Sequence, residues 1–396
     1  MNTKIIAVAV VAVLAIAGVT TFIILNQNND SASYDSKAFN VVSRVNSEGS
    51  GLYIKDAVVT EEGGKLMRNG VAFFGDNYSL SKDNKAAWGG LILGDPGSQS
   101  IQHIQLATIA DKVGLEFEQY TVQTGVLSNE KLYYVTDLSN FGKITADGNI
   151  KGGIIWEPQF QRVIQEDATY RSLALTNDVF PDHACCVIAM NHDWLKDNSA
   201  VAVKFLAGYM KAVDFINGAK KNTSGADYAE LVSIAKKSTV GLSDAEVRDA
   251  LTNITYLYAD DDKGSLDDLT DGIGTLANDL KDLGLITSEK FKDGNKFAKA
   301  FVDDKYIRDA IAGKASKEGE NTLTVAAING DIHQIAIQVA VEKGYFDEYG
   351  LTVTLNTGSS SGGDIANLLL SGDVKVGFLG APPATLKTTN GEHIIV

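Results

Sequence analysis

Cysteine is nearly missing from this sequence: 396 residues hold two, Cys185 and Cys186, and they are neighbours. That excludes a disulfide framework and a spaced zinc quartet. Proline is scarce as well, five residues against 38 glycines, and all five fall in short segments that read as loops: Pro96, Pro158, Pro181, Pro382 and Pro383. Basic residues are outnumbered, 35 Lys and Arg against 50 Asp and Glu, for a formal charge of −15. A surface of that sign repels nucleic acid and anionic lipid, so no nucleic-acid partner is expected. It still permits an anionic small ligand, because a local site can oppose the overall field. What is present, 44% hydrophobic and 21% charged residues, is the balance of a folded chain rather than a disordered one. At this length two or three domains are expected.

The longest uncharged run is at the start. Residues Ile5 to Leu25 carry no charge, and about 20 such residues span a bilayer as a helix. Lys4 precedes the run, and the next basic residue is Lys37. The basic flank should stay in the cytoplasm, leaving the rest of the chain outside. The expected order is a stub at 1–4, an anchor or signal segment at 5–25 and a polar tether at 26–38, with the protein on the extracytoplasmic face of the cell membrane, or secreted if the segment is cleaved.

Beyond the tether, FNVVSRV reads as a strand and SEGSG as a turn. GLILGDPGSQSIQHIQLATIADKVGL reads as strand, Gly/Ser loop and helix, with Ile101, Ile104, Leu106 and Ile109 near helical spacing. GGIIWEP is a short buried-type strand, and RSLALTNDVFPDHACCVIAM reads as two strands around a Pro-Asp turn. Helices dominate from Asp193 to about Ala312, and GKASKEGEN at 313–321 is a polar linker. From 322 on, strands alternate with helices: LTVAAI, DIHQIAIQVAVEKGYF, LTVTLNT, a GSSSGGD loop, IANLLLSG, KVGFLG, an APPATLKTTNG connection and a final HIIV strand. That alternation implies parallel βαβ units.

Seven segments together resemble the periplasmic solute-binding proteins of ABC importers, in the nitrate/sulfonate/taurine or NMT1-like group: GYFDEYGLTVTL, GSSSGGD, VGFLGAPPA, VNSEGSG, GDPGSQSIQH, WEP and FPDHACCV. The resemblance covers most of residues 40–396. It implies an α/β, two-lobe periplasmic-binding-protein fold of type II, a small-molecule ligand in the cleft, an ABC permease as partner, no cofactor and no catalysis. The order departs from the group, where the segment like 322–396 comes first. A circular permutation is expected, with 39–312 as the second part of the fold (second lobe about 88–180), 313–321 as linker and 322–396 as a first-lobe βαβ segment. A truncated tandem is the rival account. A nine-residue linker spans about 15–18 Å, enough to join ends that lie close together.

Within that fold the crevice lies at the carboxyl ends of strands. LTVTLNT leads into Gly358, Ser359, Ser360 and Ser361, and GLILGD into Ser98 and Gln99, each before a helix. Helix starts offer free backbone N–H groups and the positive dipole end, which bind an anion without Lys or Arg; plain N-capping is the alternative. The other candidates are Ser47, Glu48 and Ser50 after a hinge strand, Pro382 as a stiff wall, Trp156 over an apolar part of the ligand, Glu157 as an acceptor, and His103 and His333 near helix starts. The favoured ligand is a small oxyanion or sulfonate, or a related organic molecule. Cys185 and Cys186 read as a structural strand returning between lobes, their side chains on opposite faces; metal ligation and a vicinal disulfide remain as minor alternatives. Two rival functions stay open: a surface sensor or scaffold that lost transport, and a pyrimidine-precursor enzyme, for which two cysteines are too few.

Overall fold

The computed structural model describes residues 32–139, 141–181, 183–239 and 241–396. The 5–25 segment expected to cross or leave the membrane lies outside them. Among the described residues no helix is long and apolar enough to cross a membrane.

Two six-stranded mixed sheets organise residues 32–396. In the first lobe the order across the sheet is Ile254–Tyr256, Phe39–Glu48, Ala184–Asn191, Val376–Gly380, Asn321–Ile328 and Leu351–Ser359. The first three contacts are antiparallel and the last two parallel. In the second lobe the order is Tyr170–Leu175, Ser50–Lys55, Gly152–Trp156, Ile92–Gly94, Lys131–Val135 and Glu116–Gln119. There the last four strands run parallel. Helices return each parallel strand to the same end, which aligns the strand carboxyl ends of each lobe along one edge. This is the two-lobe α/β architecture of type II that the sequence implied.

The second-lobe strands show why the pattern folds this way. Leu52, Ile54, Leu93, Leu132 and Ile154 bury into one core with Phe73, Trp88, Leu106 and Ile109. Their neighbours Tyr53, Ile92, Tyr133 and Ile155 bury into a separate core with Ile144, Ile150 and Phe160. Side chains alternate along each strand, yet both faces are covered, as a parallel sheet flanked by helices requires.

Several local expectations are corrected. NSEGSG is not a surface turn: Asn46–Glu48 end one strand and Ser50 begins the next, with Gly49 alone between them. The chain passes from the first-lobe sheet to the second-lobe sheet across that one residue. The second lobe therefore takes in residues from Ser50 on, earlier than the boundary near 88, because no change of composition marks the crossing. The APPATLKTTN stretch is a helix, Ala381–Asn390, with both prolines in its first turn. Proline is tolerated there because the first N–H groups of a helix have no partner inside it. The strand before the serine-rich loop runs on through Gly358 and Ser359. The final HIIV contributes only a two-residue strand, Ile394–Ile395, paired with Ser33–Tyr34 rather than joining either large sheet. Ile394 nonetheless packs into the first-lobe core, and His393 Nδ1 donates to Asp35 Oδ2 at 2.8 Å.

Candidate functional site

A cleft of about 370 Å³ opens between the lobes. Its walls come from the loops that follow strand carboxyl ends: Pro96, Gly97, Gln99 and Ser100 after Gly94, Ser139 after Val135, Asn329–Asp331 after Ile328, and Ser360–Gly363 after Ser359. Four helices begin on it, at Ile101, Gln159, Gly362 and Ala381. Their starting points follow from capping. Ser100 Oγ accepts from His103 N at 3.1 Å, and Ser361 Oγ accepts from Asp364 N at 3.2 Å. The N–H groups of the residues just after those caps have no partner within the helix, and the residues that carry them, Ile101, Gln102, Gly362 and Gly363, line the cleft. Among the described residues lining it, none is Lys or Arg.

The cleft is lined by six of the residues singled out from the sequence: Gln99, Trp156, His333, Ser360, Ser361 and Pro382. The hydroxyls of Ser360 and Ser361 turn to the Asp364 carboxylate, at 3.3 and 2.9 Å, so the donors there are backbone groups. The other eight candidates sit elsewhere. Gly358 and Ser98 are exposed, and Ser359 is buried in its strand. Ser47 and Glu48 pair with the outer strand Ile254–Tyr256, and Glu48 Oε2 accepts from Thr255 Oγ1 at 3.2 Å. Ser50 Oγ accepts from Gln102 Nε2 at 2.8 Å, steadying a side chain that does line the cleft. His103 lies behind its loop, its Nδ1 2.9 Å from Asp95 Oδ2 and its ring against Phe117 and Tyr134. Sequence reasoning missed Asn329, Gly330, Asp331, Ser139 and Gln102. The signal for the first four was available: each follows a parallel strand at its carboxyl end, the rule already applied to two other loops.

Behind the cleft the hinge is bound together by buried polar groups. The Gly49 carbonyl accepts from His333 Nε2 at 2.8 Å and from Glu157 N at 2.8 Å. His333 Nδ1 donates to Asp331 Oδ1 at 2.9 Å. Both ring nitrogens thus face acceptors, and the ring carries two protons. Burial alone would discharge it, but Asp331 and the Gly49 carbonyl raise its pKa to about 9.

Glu157 is fully buried and joins the lobes. Its Oε1 accepts from Asn253 Nδ2 at 2.7 Å and from Gln161 Nε2 at 3.2 Å, and its Oε2 accepts from Gln161 N at 3.3 Å. Burial pushes its pKa up from 4.5 to about 6, with those hydrogen bonds pulling the other way. A raised carboxyl favours the protonated fold. That contribution is complete below pH 4.5 and is lost as pH rises through about 6. The shift corresponds to about 2 kcal/mol. Urea unfolding of wild type and Glu157→Gln between pH 4.5 and 7 should show wild type losing that much more stability than the variant; parallel profiles would contradict the buried placement.

Two α/β lobes, a cleft at their strand ends and a one-residue crossing define a bilobal ligand-binding architecture. A model of the NMT1-like family matches residues 16–233, and a model described as NMT1/THI5 like matches residues 332–396. The first match spans more than half the chain, and the protein belongs to the NMT1-like family. No curated protein matches. Among solved structures, the ligand-binding component of an ABC-type import system from Staphylococcus aureus, with zinc bound, is similar over 69% of this chain and 74% of that chain, at 14% identity and a TM-score of 0.44.

Proposed function

We propose that this protein is the extracytoplasmic solute-binding component of an ABC importer, and that its cleft takes a small, singly charged anion or a sulfonate. Family membership supports the first part. The observation that carries the second is the convergence of three helix N-termini with free backbone N–H groups, at Ile101, Gln159 and Gly362, on a cleft without Lys or Arg among its described lining residues; the fourth, at Ala381, has prolines at 382 and 383 and adds only its dipole. Such ends favour negative charge through unpaired N–H groups and the helix dipole. A doubly charged tetrahedral anion would call for a bidentate guanidinium, which the lining does not offer. Trp156 at the rim suits an apolar stem on the same ligand.

Transport in this reading works by lobe closure about Gly49 and the return helix Thr176–Val179. Contacts from both lobes exist only in the closed state, and that difference in affinity moves the equilibrium. The uncharged run at 5–25 would hold the protein beside its permease. A permuted order, with 313–321 joining the family's usual ends, is part of this reading; the pairing of Ile394–Ile395 with Ser33–Tyr34 supports it by holding the 322–396 segment beside the entry to 39–312. Calorimetric titration with nitrate, taurine, alkanesulfonates and organic amines should give saturable binding to an anion or zwitterionic sulfonate. Binding confined to amines would overturn the ligand class.

A further inference from the structure

The strand Ala184–Asn191 carries two adjacent cysteines whose geometry no regular strand produces. Successive side chains of a strand point to opposite faces. Here the two sulfurs lie 3.9 Å apart, and both line the cleft. The cause is a broken register. Ala184 pairs with Ser47 and Cys186 with Asn46, so Cys185 has no partner of its own across the ladder, and the register shifts again after Cys186. A bulge of this kind re-aims a side chain. Asn46 Oδ1 helps hold the irregular backbone by accepting from Cys186 N at 3.3 Å. Both residues are otherwise buried, at 6% and 7% exposure, so the cleft is the way in to the sulfurs.

We propose that Cys185 and Cys186 form a covalent site on the cleft floor, a dithiol that small organic disulfides oxidise to a vicinal disulfide. The environment divides the two roles. The Cys186 thiol donates to Cys185 and draws its pKa down, against burial and with help from protonated His333. Cys186 is pushed up by the same interaction and by burial. Cys185 is thus the nucleophile and Cys186 the resolving thiol. The Cys185 thiolate attacks one sulfur of the organic disulfide; a mixed disulfide forms and the first thiolate leaves, to be protonated. Cys186 then gives up its proton and attacks the Cys185 sulfur, and the second organic thiolate departs. The protein loses two protons and two electrons, that is two hydrogen atoms, and the organic disulfide becomes two thiols. Metal ligation does not fit. Both His333 ring nitrogens are engaged, and among the described residues no group of three His, Cys, Asp or Glu side chains suits an ion.

The test is intact-mass analysis of the reduced full chain after exposure to oxidised glutathione and an acid quench. Wild type should lose two hydrogens and retain no glutathione. Cys186→Ser should keep one glutathione, and Cys185→Ser should react about tenfold more slowly. Phenylarsine oxide, which bridges two neighbouring thiols with release of one water, gives a check that needs no variant: one equivalent should block both thiols of folded wild type. A persistent glutathione adduct on wild type, or thiols that react only after unfolding in urea, would overturn the proposal.

Discussion

Gly49→Ala is expected to destabilise the protein by about 3–5 kcal/mol and to abolish ligand closure. Three effects act together. Gly49 has φ +88, a left-handed conformation that costs an L side chain about 1–2 kcal/mol. A Cβ there would lie 2.3 Å from His333 Nε2 and 2.7 Å from Ile254 Cγ1, both in packed surroundings. Relieving that contact means moving His333 off the Gly49 carbonyl, and a hydrogen bond to a charged group contributes about 1.5–3 kcal/mol. His333→Ala alone should cost about 3–5 kcal/mol, since it removes a fully buried side chain and strips Asp331, a carboxylate mostly shielded at the cleft wall, of its charged partner. The two changes should not add. With the imidazole gone, the main clash and the lost hydrogen bond are already absent, and Gly49→Ala keeps mostly its backbone cost. A double-mutant cycle by urea unfolding should therefore give a coupling of about 2 kcal/mol. Additive losses would mean that the hinge does not depend on this contact.

That hinge was half legible. The strand before it and the polar Asn46–Ser50 run are plain in the chain, and the run's place after a hinge strand makes it a candidate for the cleft. Its role was not, because the partners lie far away in sequence: His333 reaches Gly49 across 284 positions. Local sequence therefore suggested a turn with side chains facing a ligand, whereas the carbonyl is the group that binds and the side chains pair with other strands. The cysteines teach the same point. Alternation predicts opposite faces, and it fails because Cys185 is left over in a register set by Ser47 and Asn46. The prolines show a different limit. Pro382 and Pro383 interrupt most helices, yet in a first turn they are compatible with one, and only the strand ending at Gly380 reveals that a first turn falls there. By contrast, the strand–helix alternation and the two Gly/Ser loops follow from short-range chemistry, and both the two-lobe fold and the helix starts at Ser100 and Ser361 were readable.

Those helix starts support the result that separates an anion site from any other. Gly363→Asp should weaken binding of the ligand by about a hundredfold or more while leaving the fold as stable as before. Gly363 lines the cleft in the first turn of the helix Gly362–Ser371. An added Cβ there meets nothing closer than Ser361 Oγ at 3.7 Å. Acidic residues in a first turn are favoured by the helix dipole, by about 0.3–1 kcal/mol, so folding gains slightly if it changes at all. The same carboxylate takes up the positive end that the ligand would use. It also places a like charge a few ångströms from a bound anion, and at about 5 Å with an effective dielectric of 20 that repulsion is about 3 kcal/mol. Since about 1.4 kcal/mol is a tenfold change, the loss exceeds two decades. Gly363→Asn, of similar size without the charge, should lose far less, which separates charge from bulk. Calorimetry on the three proteins reads the outcome directly. Equal affinities would show that the helix N-termini only end helices, and tighter binding to Gly363→Asp would mean that the ligand is a cation.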